Sequence, residues 1–307
     1  MELTATPVGP FTQYTFTKSI AGQKAGKSSV NVFRLGDILF DSCSQPAAPF
    51  LIDAMRDDPP RRIVLSHQHE DHIGGLGQLT AAWGGIPVHA PREHIDIIRD
   101  GFEVPAYRVA FWGATEGHAD LIPFDAGATF ESAGHTVDVI DTPGHTFGHK
   151  SFVLRHAGTT YVISGDLYLA PKLPNAWCET NVPDMIMSLE RLLDLAPEFV
   201  LCPSHGGPFT DGAKRVRQLR DWYVKERDTI QKIHDAHPDA DYNFIFRQRF
   251  DFYNPMEISS RGELSRAALI RGVIDPVRSL PATPIQLDED IFARSKERLE
   301  RKFGAMD

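Results

Sequence analysis

Cysteine is scarce in this chain and basic charge is outweighed, and each shortage excludes something. Only three of the 307 residues are cysteine, Cys43, Cys178 and Cys202, far apart and odd in number. No CxxC spacing occurs, so they read as small buried residues rather than a disulfide framework or a thiolate metal site. Lysine and arginine number 32 against 41 aspartates and glutamates, a net charge of −9. That balance argues against a nucleic-acid footprint, which needs a basic face. No run approaches the roughly 18 apolar residues of a membrane span. The start, Met1-Glu2-Leu3-Thr4-Ala5-Thr6, lacks the basic and apolar regions of a secretory signal, so a cytoplasmic location is the expectation. No internal repeats occur.

What the chain does have is histidine, thirteen in all, with three of them between His67 and His72. The stretch His67-Gln68-His69-Glu70-Asp71-His72 adds two carboxylates and follows the apolar run Ile63-Val64-Leu65, which reads as a buried strand. Side chains at alternate positions of an extended segment share a side, so His67 and His69 can reach one ion. Asp71 and His72, on the turn beyond, can reach a second. Imidazole and carboxylate are the nitrogen and oxygen ligands that zinc and similar divalent ions take. Gly74-Gly75 is expected to let the backbone bend before the next helix.

Taken in order, residues 11–41 read as strands, with a turn at Gly36-Asp37 and a strand ending at Asp41. A helix from Pro46 to Met55 precedes the Ile63–Leu65 strand. A helix at Gly75–Trp83, a strand at Ile86–His89 and a helix at Arg92–Arg99 follow. Such alternation indicates an α/β domain. Residues 101–133 are irregular and aromatic, with Phe102, Tyr107, Phe111, Trp112, Phe124 and Phe130. Two readings stay open there: a surface excursion with its own small cluster, or a loop that lines or covers a substrate pocket. Strands return at Val137–Ile140, Ser151–Leu154 and Tyr161–Ser164, then a helix at Asp184–Leu195 and a strand at Phe199–Cys202. Beyond Gly207 helical spacing takes over. Helices are expected at Asp211–Ala236, at Glu263–Ile274 capped by Ser259 or Ser260, and at Asp288–Phe303. The expected organisation is a catalytic domain over residues 1–211 and a helical extension over 212–307 packed on it.

Each candidate ligand falls just after a strand: the 67–72 group after one, His145 after another, then Asp166 and His205. Ligands from several strand ends can converge at one edge of a sheet, where sites of α/β folds lie. The remaining histidines, His89, His94, His118, His135, His156, His234 and His237, lie outside every motif and read as surface or core residues.

Together, His67-x-His69-x-Asp71-His72, Thr142-Pro143-Gly144-His145-Thr146-x-Gly148-His149, Gly165-Asp166 and His205-Gly206 resemble the signatures of metallo-β-lactamase-fold hydrolases, in the family's order. The resemblance implies a four-layer αββα sandwich with two divalent ions at one edge, zinc first and iron or manganese as alternatives. It implies His67, His69 and His145 on one ion, Asp71, His72 and His205 on the other, and Asp166 bridging. It also implies Asp41 and His149 as supports behind the ligands. Two ions so placed can hold a shared water as a bridging hydroxide that attacks a carbonyl or phosphoryl group, with Asp71 orienting it and carrying its proton. Tyr168 is a candidate donor to the developing oxyanion, although the family's lactonases place their tyrosine at a different offset.

Asp166 tells against the true β-lactamase branch and fits the glyoxalase II-like, thioesterase-like and lactonase-like branches. The segment Pro203-Ser204-His205-Gly206-Gly207 is closer to other thioester and ester hydrolases than to glyoxalase II itself. The expectation is hydrolysis of a thioester, ester or lactone carbonyl in a small-molecule acyl substrate, with no nucleic-acid or membrane partner. A homodimer is compatible with this reading. The alternatives are a phosphodiesterase or nuclease of the same fold, an iron-dependent oxygen or sulfur redox enzyme, and a binding or regulatory protein that keeps the metals.

Overall fold

The computed structural model describes residues 2–19 and 27–303. The strand reading of 11–41, the catalytic domain from residue 1 and the extension to 307 each run partly over residues outside these. The chain divides into two compact units. One runs up to Thr142 and includes Gly148–Leu169 and Arg191–Val216; the other takes Pro143–Phe147, Ala170–Glu190 and the chain from Arg217.

The first unit carries a seven-stranded and a five-stranded sheet. In the seven-stranded sheet the strands lie in sequence order from Glu2–Val8 to Leu121–Phe124. Its first four pair antiparallel, and Ile38–Phe40, Arg62–Val64, Val88–Pro91 and Leu121–Phe124 run parallel. The five-stranded sheet runs Val200–Pro203, Thr159–Gly165, Lys150–His156, His135–Asp141, Thr129–Ser132.

Strand periodicity explains why both faces of the larger sheet are covered. Ile38, Phe40 and Val64 point to one side, where they pack with Phe152, Leu154, Ile163 and Cys202 of the smaller sheet. Leu39, Ile63 and Leu65 point to the other, against Ala48, Leu51, Leu76 and Leu79 of the helices Ala48–Ala54 and Leu76–Ala82. A near-continuous apolar strand such as Ile38-Leu39-Phe40 is what burial on both faces requires. This is the α/β, αββα class expected of the sequence.

Several local expectations change. Residues 101–133 are not irregular throughout: they hold the helix Ala106–Trp112 and the strands Leu121–Phe124 and Thr129–Ser132. Gly74 and Gly75 do form the turn before the helix Leu76–Ala82, with φ angles of −61° and −81° that any residue can adopt. They are needed for close approach, because a Cβ on Gly74 would lie 2.7 Å from the Gln45 amide nitrogen and one on Gly75 would strike the Ser42 carbonyl.

The second unit holds most of the helix Gly212–Ala236, together with Tyr242–Arg249, Pro255–Ser259, Arg266–Ile274 and Glu289–Phe303. Neither Ser259 nor Ser260 caps Arg266–Ile274. Ser265 does, its hydroxyl accepting from the Ala268 N–H at 2.9 Å. The reason is that Leu264–Ser265 is extended and pairs with Ala176–Trp177, a strand that sequence periodicity did not reveal. Asp241 and Asn254 cap the helices after them, the latter in a reciprocal box with Glu257. Among the described residues, no helix is long and apolar enough to cross a membrane.

Candidate metal centre

Strand ends of both sheets deliver the polar residues to one place in the first unit. His67 follows the strand Arg62–Val64 by three residues, and His69 occupies the N-cap of the short helix Glu70–Ile73. Asp166 directly follows Thr159–Gly165, and His205 follows Val200–Pro203. Ligand atoms of His67, His69 and Asp166 lie within 4.8 Å of one another, as do those of Asp71, His72, Asp166 and His205. Asp166 therefore belongs to both groups. His67 Nε2 stands 3.1 Å from His69 Nδ1. Two nitrogens sharing a tetrahedral zinc at the usual bond length sit about 3.3 Å apart.

The partners behind the ligands decide which nitrogens face inward. His72 donates its Nδ1 proton to Asp41 Oδ2 at 2.8 Å, and His205 donates its own to the Ser29 carbonyl at 2.6 Å. Each imidazole is thereby left with Nε2 directed at the carboxylates. His72 Nε2 makes no well-formed hydrogen bond, and it faces Asp166 Oδ1 at 3.3 Å and Asp71 Oδ2 at 3.8 Å. His205 Nε2 lies 3.0 Å from Asp71 Oδ2 and 3.5 Å from Asp166 Oδ1. A buried imidazole nitrogen in that state between two carboxylates fits a divalent cation.

The charges follow the same geometry. Burial alone would raise the Asp71 carboxyl, but His72 and His205 hold it down at about 2. Burial likewise opposes charge on Asp166, and His205 and His72 hold it well below the carboxylate range. Burial would lower both imidazoles, yet Asp71, Asp41 and Asp166 keep His72 well above its ordinary value. Asp166 and Asp71 raise His205 to about 10. His67 goes the other way, pushed well below by burial and by His72 and His69. An ion bound among these groups would compete with protons on His72 and His205.

Asp41 holds this arrangement from behind. Its carboxylate accepts from the Ser66 N–H at 2.7 Å, the Ser66 hydroxyl at 2.8 Å and His72. Its own backbone is left-handed, φ 64°, a conformation that costs a non-glycine residue of order 1 kcal/mol. Asp41→Ala is expected to weaken the ion at Asp71, His72 and His205 by about 10- to 100-fold. Competition against a chromophoric chelator measures it, and unchanged affinity would show that Asp41 merely fills space.

His149 supports Asp166. Its Nε2 accepts the Asp166 backbone N–H at 3.2 Å, so Nδ1 carries the proton and donates to Thr142 Oγ1 at 2.9 Å. Thr142 passes its own proton to Ser151 Oγ at 2.8 Å. Gly165 lets this ring close in: its φ is +52°, and a Cβ there would lie 2.5 Å from His149 Nε2.

His145 is buried on Pro143–Phe147, a loop that leaves the first unit at Thr142 and re-enters it at Gly148. The loop clusters with the second unit because the Gly144 carbonyl accepts from Asn181 N–H at 2.8 Å and the Pro143 carbonyl from Ser188 at 2.6 Å. Tyr168 is buried, its ring 6.1 Å from Phe209, with Arg215 stacked 3.8 Å over that same Phe209 ring. It is not in either ligand group.

Asn31 and Glu70 escaped sequence reasoning. Asn31 Nδ2 donates to the carbonyls of Pro203 and Gly206 at 2.9 and 2.6 Å, clamping both sides of His205. Its signal was present, a lone amide inside Val30-Asn31-Val32, where alternation alone explains nothing. Glu70, between two ligands, turns away from them. It takes Arg108 in a bidentate pair, Nε to Oε1 at 2.7 Å and a second guanidinium nitrogen to Oε2, with both side chains buried.

A model of the metallo-beta-lactamase superfamily matches residues 26–205. Among similar curated proteins, one from Serratia proteamaculans named hydroxyacylglutathione hydrolase is 30% identical over 146 residues, 48% of this chain and 48% of that protein. One of the same name from Hamiltonella defensa is 27% identical over 146 residues, again 48% of each. The chain thus spans about half the length of the curated relatives it matches. Among solved structures, a metallo-beta-lactamase family protein from Thermus thermophilus has a TM-score of 0.58 at 20% identity, covering 85% of this chain and 90% of that one. A metallo-beta-lactamase from Pontibacter korlensis has a TM-score of 0.55 at 19% identity, covering 73% of this chain and 99% of that one. At such identities the likeness shows the fold alone.

Proposed function

The chain belongs to the metallo-beta-lactamase superfamily, and from that premise we propose that it is a hydrolase with two divalent ions that cleaves a thioester, ester or lactone carbonyl. The observation that carries this reading is Asp166, one carboxylate common to both ligand groups. His67, His69 and His145 would hold one ion, and Asp71, His72 and His205 the other, with Asp166 between them. Zinc suits the nitrogen-rich set, and iron or manganese would also be accepted. Divalent ions bound there supply Lewis acidity toward a carbonyl oxygen and acidify water.

The chain's own residues do the rest. Asp71, ionised beside His72 and His205, would orient the attacking water and carry its proton to the leaving thiolate or alkoxide. Asp41, His149 and Asn31 fix the ligands so that no reorganisation is needed during reaction. Tyr168 would donate to the developing oxyanion. The relatives named hydroxyacylglutathione hydrolase support a thioester over other carbonyls. The net charge of −9 speaks against a phosphodiester polymer. We further propose a cytoplasmic setting, a small acyl substrate as the partner, and residues 212–307 as an extension that contributes to specificity.

The test is a hydrolysis screen over thioesters, lactones, β-lactams and phosphodiesters, run alongside metal analysis. About two ions per chain and turnover of acyl substrates are expected. Activity confined to phosphodiesters would overturn the proposal. In the same assay Tyr168→Phe should lower kcat with the metal content unchanged, and an unchanged rate would remove Tyr168 from the mechanism.

A further inference from the structure

We infer that Trp112 is a specificity-determining residue, the aromatic wall against which the apolar part of the acyl substrate lies; this rests on reading the site as an acyl hydrolase. Exposure is uneven among the candidate ligands of the first unit. The side chains of His72, Asp166 and Asp71 are 0%, 6% and 8% exposed, whereas that of His205 is 23% exposed. Of these four, His205 is the one that solvent reaches most. The Trp112 ring stands against His205, centroids 5.8 Å apart and planes tilted by 48°. Trp112 is half-buried and packs against the cluster that includes Phe16, Val30 and Leu51.

The helix that presents it, Ala106–Trp112, is too short to be stable alone and is pinned at three points. Arg108 is locked into Glu70, the residue between ligands His69 and Asp71. Lys18 Nζ donates to the last-turn carbonyls of Ala110 at 2.6 Å and Phe111 at 3.3 Å, the place where a cation suits a helix. Beyond the helix, the Ala114 N–H donates to Gln45 Oε1 at 3.2 Å. An indole held this way is a preformed apolar surface at the mouth of a polar site, and a ligand loses little in ordering it.

The experiment compares octanoate with acetate, carboxylates that differ only in chain length and stand for the product of any acyl hydrolysis. Titration calorimetry on zinc-loaded protein should show octanoate binding at least about tenfold more tightly than acetate. Trp112→Ala should remove that preference, leaving acetate affinity and zinc content unchanged, and Trp112→Phe should restore part of it. Equal binding of the two carboxylates by the wild type would overturn the proposal, even if the alanine variant failed to fold. A preference that survives in Trp112→Ala would overturn it as well. The readout is binding rather than turnover. A zinc-loaded protein that hydrolysed no acyl substrate would thus defeat the hydrolase reading separately.

Discussion

Asp166→Ala is expected to reduce bound metal from about two ions per chain to one or fewer and to lower turnover by at least about 10³-fold. Asp166 is the carboxylate common to both ligand groups, and its Oδ1 faces His72 at 3.3 Å and His205 at 3.5 Å. Its loss would remove the one carboxylate that, among the described residues, both groups share. Asp166→Asn separates charge from shape, since the amide keeps the volume but offers one neutral oxygen; it should also lose metal. The fold should survive, because the support from His149 reaches the backbone N–H rather than the carboxylate. Metal analysis, kcat and circular dichroism on the same preparation would check this. A variant with two ions and turnover within tenfold of wild type would mean that Asp166 is not a bridge.

How much of this could be read beforehand depended on the range of the forces involved. The strand Ile38-Leu39-Phe40 and the run Ile63-Val64-Leu65 were legible because burial on both faces leaves a local apolar signature. His67 and His69 were legible as a pair through strand alternation, and Asp166 and His205 through their places after apolar runs. The partners across the fold left no such trace. Asn31 is about 170 residues in sequence from the Pro203 carbonyl it binds. The helix Ala106–Trp112 has seven residues, too few for a 3.6-residue period to emerge, and its buried position is an arginine rather than an apolar residue. Ser265 was missed as a cap because the two-stranded pairing before it depends on Ala176–Trp177, nearly ninety residues earlier. The Pro143–Phe147 loop shows the same limit, since its hydrogen bonds to Asn181 and Ser188 place it with the second unit rather than with its neighbours in sequence.

Arg108→Met is expected to destabilise the protein by about 3–5 kcal/mol, more than a surface ion pair could. The Arg108 and Glu70 side chains are 6% and 2% exposed, so removing the guanidinium leaves a carboxylate in the interior with no water to solvate it. Glu70→Gln alone should be similarly costly, because it strands the arginine. The double variant Glu70→Gln/Arg108→Met should recover most of the loss, since it removes both charges and leaves a single amide to satisfy. Equilibrium urea unfolding of all four proteins closes the cycle, with a coupling expected to exceed the cost of either single variant, about 3 kcal/mol or more. A cost below about 1 kcal/mol for Arg108→Met would show that the pair is solvated in practice. Metal content read in parallel adds a second decision. Glu70 lies between His69 and Asp71, and freed from Arg108 its carboxylate can swing toward the ligands. Altered metal content in Arg108→Met, restored in the double variant, would identify the arginine as what keeps Glu70 out of the metal site.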